Sequence, residues 1–197
     1  MIRIDLHVHT KFSGDSSINP RRIVDQLCMH PFIKGVAITD HDTLEGYVQV
    51  CKLARVYEDI IIIPGVEVTT LEGHIVILGV EENPHHLREV DEVIDFARDR
   101  GGLIVVPHPY RAAGLGDLTK GLDVDAIEIL NARATRLENM MAEALRKERN
   151  LPGVAGSDAH YQHELFAAYN EIQAEMDVDS VLNAIRKGLV KTFKSHI

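Results

Sequence analysis

The chain lacks most of the features that would place it outside ordinary globular enzymes. It has no tryptophan, 2 cysteines, 7 prolines and 14 glycines in 197 residues. Cys28 and Cys51 both fall in segments of helical pattern, so they read as small core residues and imply no disulfide framework. Low Pro and Gly with 45% hydrophobic and 26% charged residues exclude collagen, coiled coil and disorder. No apolar run approaches the ~18 residues of a membrane span, and Met1-Ile2-Arg3-Ile4-Asp5-Leu6 has no signal-peptide pattern. The expected location is cytoplasmic, with no membrane partner. Basic residues are also scarce: 21 Lys and Arg face 30 Asp and Glu, a formal charge of -9. That sign argues against a surface that neutralises nucleic-acid phosphates. One residue type is abundant, with 11 histidines.

Short β-branched runs alternate with helical patterns. Ile2 to His9, Gly35 to Thr39, Ile60 to Pro64, Ile75 to Val80, Leu103 to Val106, Ala126 to Leu130 and Gly153 to Ala155 read as strands. Asn19-Pro20 reads as an N-cap followed by Pro at the first helical position. Leu87 to Arg98 carries an apolar stripe that ends at Gly101-Gly102, as a helix terminus favours. The alternation predicts an α/β fold of parallel strands covered by helices, closed as a barrel or open as a doubly wound sheet. Between Ile60 and Val80 there is no room for a helix, which predicts a hairpin. No repeat, low-complexity stretch or linker interrupts the chain, so 1–197 reads as one domain.

The histidines fall at one kind of place. Asp5-Leu6-His7-Val8-His9-Thr10 closes the first strand, and side chains two apart on a strand share a face, so His7 and His9 can reach one ion. Asp15 follows in a polar loop. His41 lies in Thr39-Asp40-His41-Asp42 after the second strand, and Glu67 follows Gly65-Val66. His74 opens the next strand, His108 stands in Val106-Pro107-His108-Pro109, and Asp158 and His160 follow the last candidate strand in Gly156-Ser157-Asp158-Ala159-His160. Most of these positions are C-terminal strand ends, where α/β barrels and parallel sheets place their sites. Six imidazoles and three carboxylates without a thiolate suit Zn, Mn or Fe(II). Nine ligands are too many for one metal, so two or three ions with a bridging carboxylate are expected. Such a site is strongly positive and suits a phosphate.

In these motifs, taken in order from His7 to His160 with the tail from Val181 to Phe193, the chain resembles the PHP (polymerase and histidinol phosphatase) superfamily of metal-dependent phosphoesterases. The resemblance implies a distorted, TIM-like (β/α)7 barrel with a trinuclear site at its C-terminal mouth, the tail supplying a closing helix and strand. It implies a first ion on His7, His9, Glu67 and Asp158, a second on Glu67, His74 and His108, and a third on Asp15, His41 and His160. It also implies attack on phosphorus by a hydroxide held between the first two ions.

Beyond the ligands, Arg111, Arg133 and Lys11 are candidates to hold a substrate phosphate. Asp40, Asp42 and Glu128 are candidates to orient imidazoles. His30, His85, His86, His163 and His196 read as surface or packing residues. The leading function is hydrolysis of a small phosphorylated substrate, a monoester or short nucleotide, with a histidinol-phosphatase type within that class. A 3'-5' exonuclease acting on a polynucleotide would need a basic channel, and a non-catalytic scaffold would tolerate lost ligands. At 197 residues there is little room for insertions over the mouth, which leaves it open or completed by a second copy in a homo-oligomer.

Overall fold

The computed structural model describes residues 1–195; His196 lies outside them. In chain order the elements are β1 (Ile2–Val8), α1 (Pro20–Met29), β2 (Gly35–Ile38), α2 (Glu45–Ala54), β3 (Ile61–Thr69), β4 (His74–Leu78), α3 (Val90–Asp99), β5 (Leu103–Val106), β6 (Ala126–Asn131), α4 (Arg136–Arg149), β7 (Gly153–Gly156), β8 (Ala168–Ile172), α5 (Val178–Arg186) and β9 (Val190–Lys194). None of these helices is long and apolar enough to cross a membrane.

All the strands join one nine-stranded, nearly closed sheet in the order β7-β6-β5-β4-β3-β2-β1-β8-β9. The expected seven-stranded (β/α)7 barrel is corrected here. β4 is antiparallel to both β3 and β5, because the four residues between β3 and β4 cannot make the crossover that parallel strands require. A short 3-10 turn, not an α-helix, follows β7, and two further strands extend the sheet beyond β1: β8, antiparallel to β1, and β9, antiparallel to β8, with α5 in the connection between them. The predicted hairpin forms, with β3 running on to Thr69.

Inside the sheet, Ile4, Leu6, Ile63, Leu78 and Leu103 pack with Val181, Leu182 and Ile185 of α5, which lies against the interior. Burying each such side chain contributes about 1.5–3 kcal/mol. Outside, α1 and α2 cover β1 and β2 through Ile23, Leu27, Val36 and Val50, and α3 covers β4 and β5 through Val93, Ala97, Ile77 and Ile104. Asn19 caps α1, its side chain accepting from Arg21 N, with Pro20 at the first helical position. The helix predicted from Leu87 begins at Val90 instead. Arg88 O accepts from Leu71 N and the Glu72 carboxylate accepts from Val90 N, which ties the approach to the β3–β4 turn and keeps it extended.

β1 contains one extra residue between Asp5 and Val8 relative to β2. Such a bulge shifts the alternation of side chains. Leu6 still packs in the interior cluster while Val8 packs with the outer one, and His7 and His9 both turn to the mouth of the barrel. There β1 and the end of β7 meet directly: Asp158 N donates to His7 O at 2.8 Å and His9 N to Ala159 O at 3.0 Å. Deeper in, β8 separates them and the contact passes through a side chain. Asn170 Nδ2 donates to Ile4 O and Ala155 O, and its Oδ1 accepts from Ala155 N.

Asn170 is fully buried, so truncation leaves three backbone groups without partners. We expect Asn170→Ala to cost about 2–4 kcal/mol of unfolding free energy, read as a lower urea midpoint. An unchanged midpoint would show that the seam does not depend on this amide.

Candidate metal centre

The nine predicted ligands converge at the mouth, around Glu67. Its side chain is 1% exposed, and its two oxygens face different partners. Oε2 lies 3.2 Å from His7 Nε2 and 3.1 Å from His9 Nε2. Oε1 lies 2.8 Å from His74 Nδ1 and 3.0 Å from His108 Nε2. His7 Nε2 and His9 Nε2 are 3.1 Å apart, and Asp158 Oδ1 is 3.7 and 3.4 Å from them. Four ligands placed tetrahedrally at about 2.0–2.1 Å from one ion stand roughly 3.3–3.4 Å from each other, so this spacing fits an ion.

Beside this group, Asp15 Oδ2 is 2.9 Å from His160 Nε2 and 3.5 Å from His41 Nε2. His41 Nδ1 is 3.6 Å from Glu67 Oε2, so this imidazole stands between the Asp15 group and the Glu67 group. Four overlapping sets have ligand atoms close enough to share an ion: His9, Asp15, His41 and His160; His7, His108 and Asp158; His7, His9 and Glu67; His41, Glu67 and His74. Buried nitrogens without hydrogen-bond partners, His41 Nδ1 and His108 Nδ1, add to the case that the donors fit ions of the nitrogen- and oxygen-preferring class.

The charges support one another. Burial opposes protonation of His7, but Glu128, Glu67 and Asp158 outweigh it and hold its pKa well above the ordinary value. For His9, burial is likewise outweighed by Asp158 and Glu67, which lift the pKa to about 9. Burial works against ionised Glu67, yet His7, with hydrogen bonds from His108 and His74, keeps its carboxyl well below the usual range. In the same way His7 and His9 overcome burial at Asp158. His41 is pulled down by burial.

A second layer of hydrogen bonds holds these side chains. Glu128 Oε1 is 3.1 Å from His7 Nδ1, and its Oε2 accepts from His108 N at 2.8 Å and from Asn131 Nδ2 at 3.0 Å. β7 passes so close that a Cβ on Gly156 would collide with His7 and Glu128. Asp158 divides its oxygens: Oδ1 faces the histidines, while Oδ2 accepts from Asn131 Nδ2 and the Arg111 guanidinium. Arg111, read from sequence as a phosphate contact, is therefore engaged with Asp158. Arg133 lines the mouth cavity of about 300 Å³ and has no ion pair among the described residues. Lys11 is not in that lining and lies over the Phe12 ring, 5.4 Å from its centroid.

Of the three acids expected to orient imidazoles, Glu128 alone holds a ring nitrogen. Asp40 accepts from the Thr10 backbone and hydroxyl, and Asp42 accepts from Thr69 N, so both brace loops. Asn131 and Ser13 went unnoticed in the sequence. Ser13 Oγ bonds His9 Nδ1 at 3.0 Å and accepts from His41 N, a role that a polar loop residue does not advertise. Among the described residues, His30, His85, His86 and His163 stay out of the cluster; His30 Nδ1, for example, accepts from Ile33 N beyond α1. Backbone strain also gathers here, with Asp42, His108 and Asp158 at φ of 54°, 28° and 53°, in a region that side chains other than glycine rarely adopt.

The family described as PHP-associated matches residues 136–190. An uncharacterized protein of Methanocaldococcus jannaschii is 36% identical over 143 residues, covering 66% of this chain and 82% of that protein. Among solved structures, a two-domain protein of Bacteroides vulgatus, described as containing a predicted PHP-like metal-dependent phosphoesterase, superposes with a TM-score of 0.82 at 18% identity over 98% of this chain. The chain spans 64% of that protein's length. PsfC of Pseudomonas syringae superposes with a TM-score of 0.72 at 17% identity, covering 100% of this chain and 93% of its own.

The raised histidines make the metal-free fold sensitive to pH. Unfolded, His9 titrates near 6.5, and folded near 9. Its stabilisation is complete below about 6.5 and is lost as pH rises through about 9, a contribution of about 3 kcal/mol. The thermal midpoint of chelator-stripped protein should fall across this window. A midpoint that rises between those pH values would contradict the charge arrangement.

Proposed function

The chain belongs to the PHP superfamily, and from that premise we propose that it is a metal-dependent phosphoesterase that releases phosphate from a small phosphorylated substrate, a monoester or a nucleotide. The observation that carries this reading is Glu67. A buried carboxylate with one oxygen on His7 and His9 and the other on His74 and His108 is placed to join two cation sites. His7, His9, Glu67 and Asp158 would hold one ion, Glu67, His74 and His108 a second, and Asp15, His41 and His160 a third. Two or three divalent ions, Zn, Mn or Fe, would supply charge neutralisation at the phosphoryl oxygens and water deprotonated at neutral pH.

The chain's own groups do the positioning. Glu128 fixes the His7 ring through Nδ1, which leaves Nε2 facing the site. Arg111 and Asn131 hold Asp158 by one oxygen and leave the other toward the histidines. Arg133, exposed at the rim of the mouth cavity, is the guanidinium free to take a phosphate in a bidentate pair. A cavity of about 300 Å³ supports a small substrate over a polynucleotide threaded through it, the reading with which this one competes.

Glu67→Gln should lower phosphate release by about a thousandfold or more, some 4 kcal/mol of transition-state stabilisation, with circular dichroism unchanged. The assay is a panel of nucleotides, sugar phosphates and histidinol phosphate on metal-loaded protein. Retention of most activity would sink the joined-ion reading. Asp15→Ala, half-exposed in the structure, should remove about one ion per chain by mass spectrometry and leave the others bound. An unchanged metal count would mean that the third group holds no ion.

A further inference from the structure

On the flank of the barrel, away from the mouth, a groove of about 760 Å³ runs between α4 and the start of β9. It shares no residue with the mouth cavity. Ile129 and Leu130 of β6 and Glu143 and Arg146 of α4 line it together with residues that precede or begin β7 and β9. Arg146, Arg186, Lys187 and Lys191 line it against a single acid, Glu143. That acid is already engaged by Arg146 at 2.6 Å and Lys147 at 3.2 Å. An adjoining cleft that shares Leu130 and Glu143 adds Arg136, Lys147 and Lys194 and no further acid.

Seven cations and one acid thus line a continuous depression in a chain whose net charge is -9. Lysines on an exposed edge strand guard against strand-to-strand association, which accounts for Lys191 and Lys194 on β9. It does not account for cations on α4 or at the end of α5. Like charges that converge in a concave, partly apolar site repel one another and focus a positive field. Two of the four are already held in place: Arg146 by Glu143, and Arg186 by its bond to Gly101 O at 2.8 Å. Lys187 and Lys191 are exposed and have no ion pair among the described residues. The floor, with Ile129, Leu151 and Val190, is apolar.

We propose that this groove is a second ligand site, for a small organic anion bearing two or more phosphates, whose phosphates meet the lysines and arginines while its organic part lies on the apolar floor. The volume falls within the range of about 300–1,000 Å³ typical of small-molecule sites. The site stands apart from the metal centre and does not depend on the reaction proposed there.

The test uses metal-loaded protein with inorganic tripolyphosphate as probe and an amine-reactive reagent as reporter, at ionic strength matched with sodium chloride. Bound probe should slow modification of Lys187 and Lys191 saturably, by peptide mass spectrometry, and leave the exposed Lys52 unchanged. Lys187→Gln should weaken protection of Lys191 by about tenfold in probe concentration, the loss of one charge-assisted contact. Equal slowing at Lys52, no slowing at Lys187 and Lys191, or undiminished protection of Lys191 in the variant would each overturn the proposal.

Discussion

A carboxylate as deeply buried as Glu67 persists in its charged form only where positive charge is brought to it, since the desolvation of a lone buried ion costs several kcal/mol. Much of the barrel mouth answers that requirement. Five acids are buried among the described residues, Asp5, Asp40, Glu67, Glu128 and Asp158, and no lysine or arginine is buried with them. Only Arg111 reaches in, to Asp158. Imidazoles drawn from β1, β4 and the loops after β2, β5 and β7 make up part of the deficit, and divalent cations are the natural remainder. Backbone amides carry a further share: Asp5 accepts from His7, Ser157 and Phe166, although burial still pushes its carboxyl up to about 7.

How much of this was legible in the sequence follows from what each signal encodes. The spacing of two anticipated His7 and His9 as neighbours, and they do lie together, but in a bulged strand whose alternation is irregular; the lack of room for a helix between Ile60 and Val80 required a hairpin. β8 escaped notice because its central inward residue is Asn170, a polar side chain that breaks the apolar alternation by which strands are recognised. Its reason for being there, three hydrogen bonds that join β1, β7 and β8, exists only once those strands meet. Arg111 shows the same limit from another side. Sequence proximity to His108 gave its reach into the mouth but not its partner, which lies 47 positions away. Asn131 and Ser13 act through hydrogen bonds set by strand ends and loop geometry, for which no periodicity exists.

Net charge, too, is a sum without an address. The value of -9 argued against a broadly basic surface, yet it conceals two opposed regions. Buried acids collect at the mouth, whereas α4, α5 and β9 bring cations to the flank. A 3-10 turn rather than an α-helix follows β7. β7 and β9 there border a groove while α4 packs on β6, so topology also shapes the electrostatic surface.

The seam between β1 and its late partners has one more consequence. Asn170 meets Ile4 across 166 positions and Arg3 meets Glu171 across 168, so the first strand is finished by nearly the last ones. During synthesis, His7 and His9 emerge long before Asp158 and His160, and β1 has a neighbour on one side only until β8 appears. High contact order of this kind slows folding, and here it also sets an order of assembly. An ion met early would find only a pair of imidazoles, and the full donor set exists only after β7 and the loop that follows it have been made.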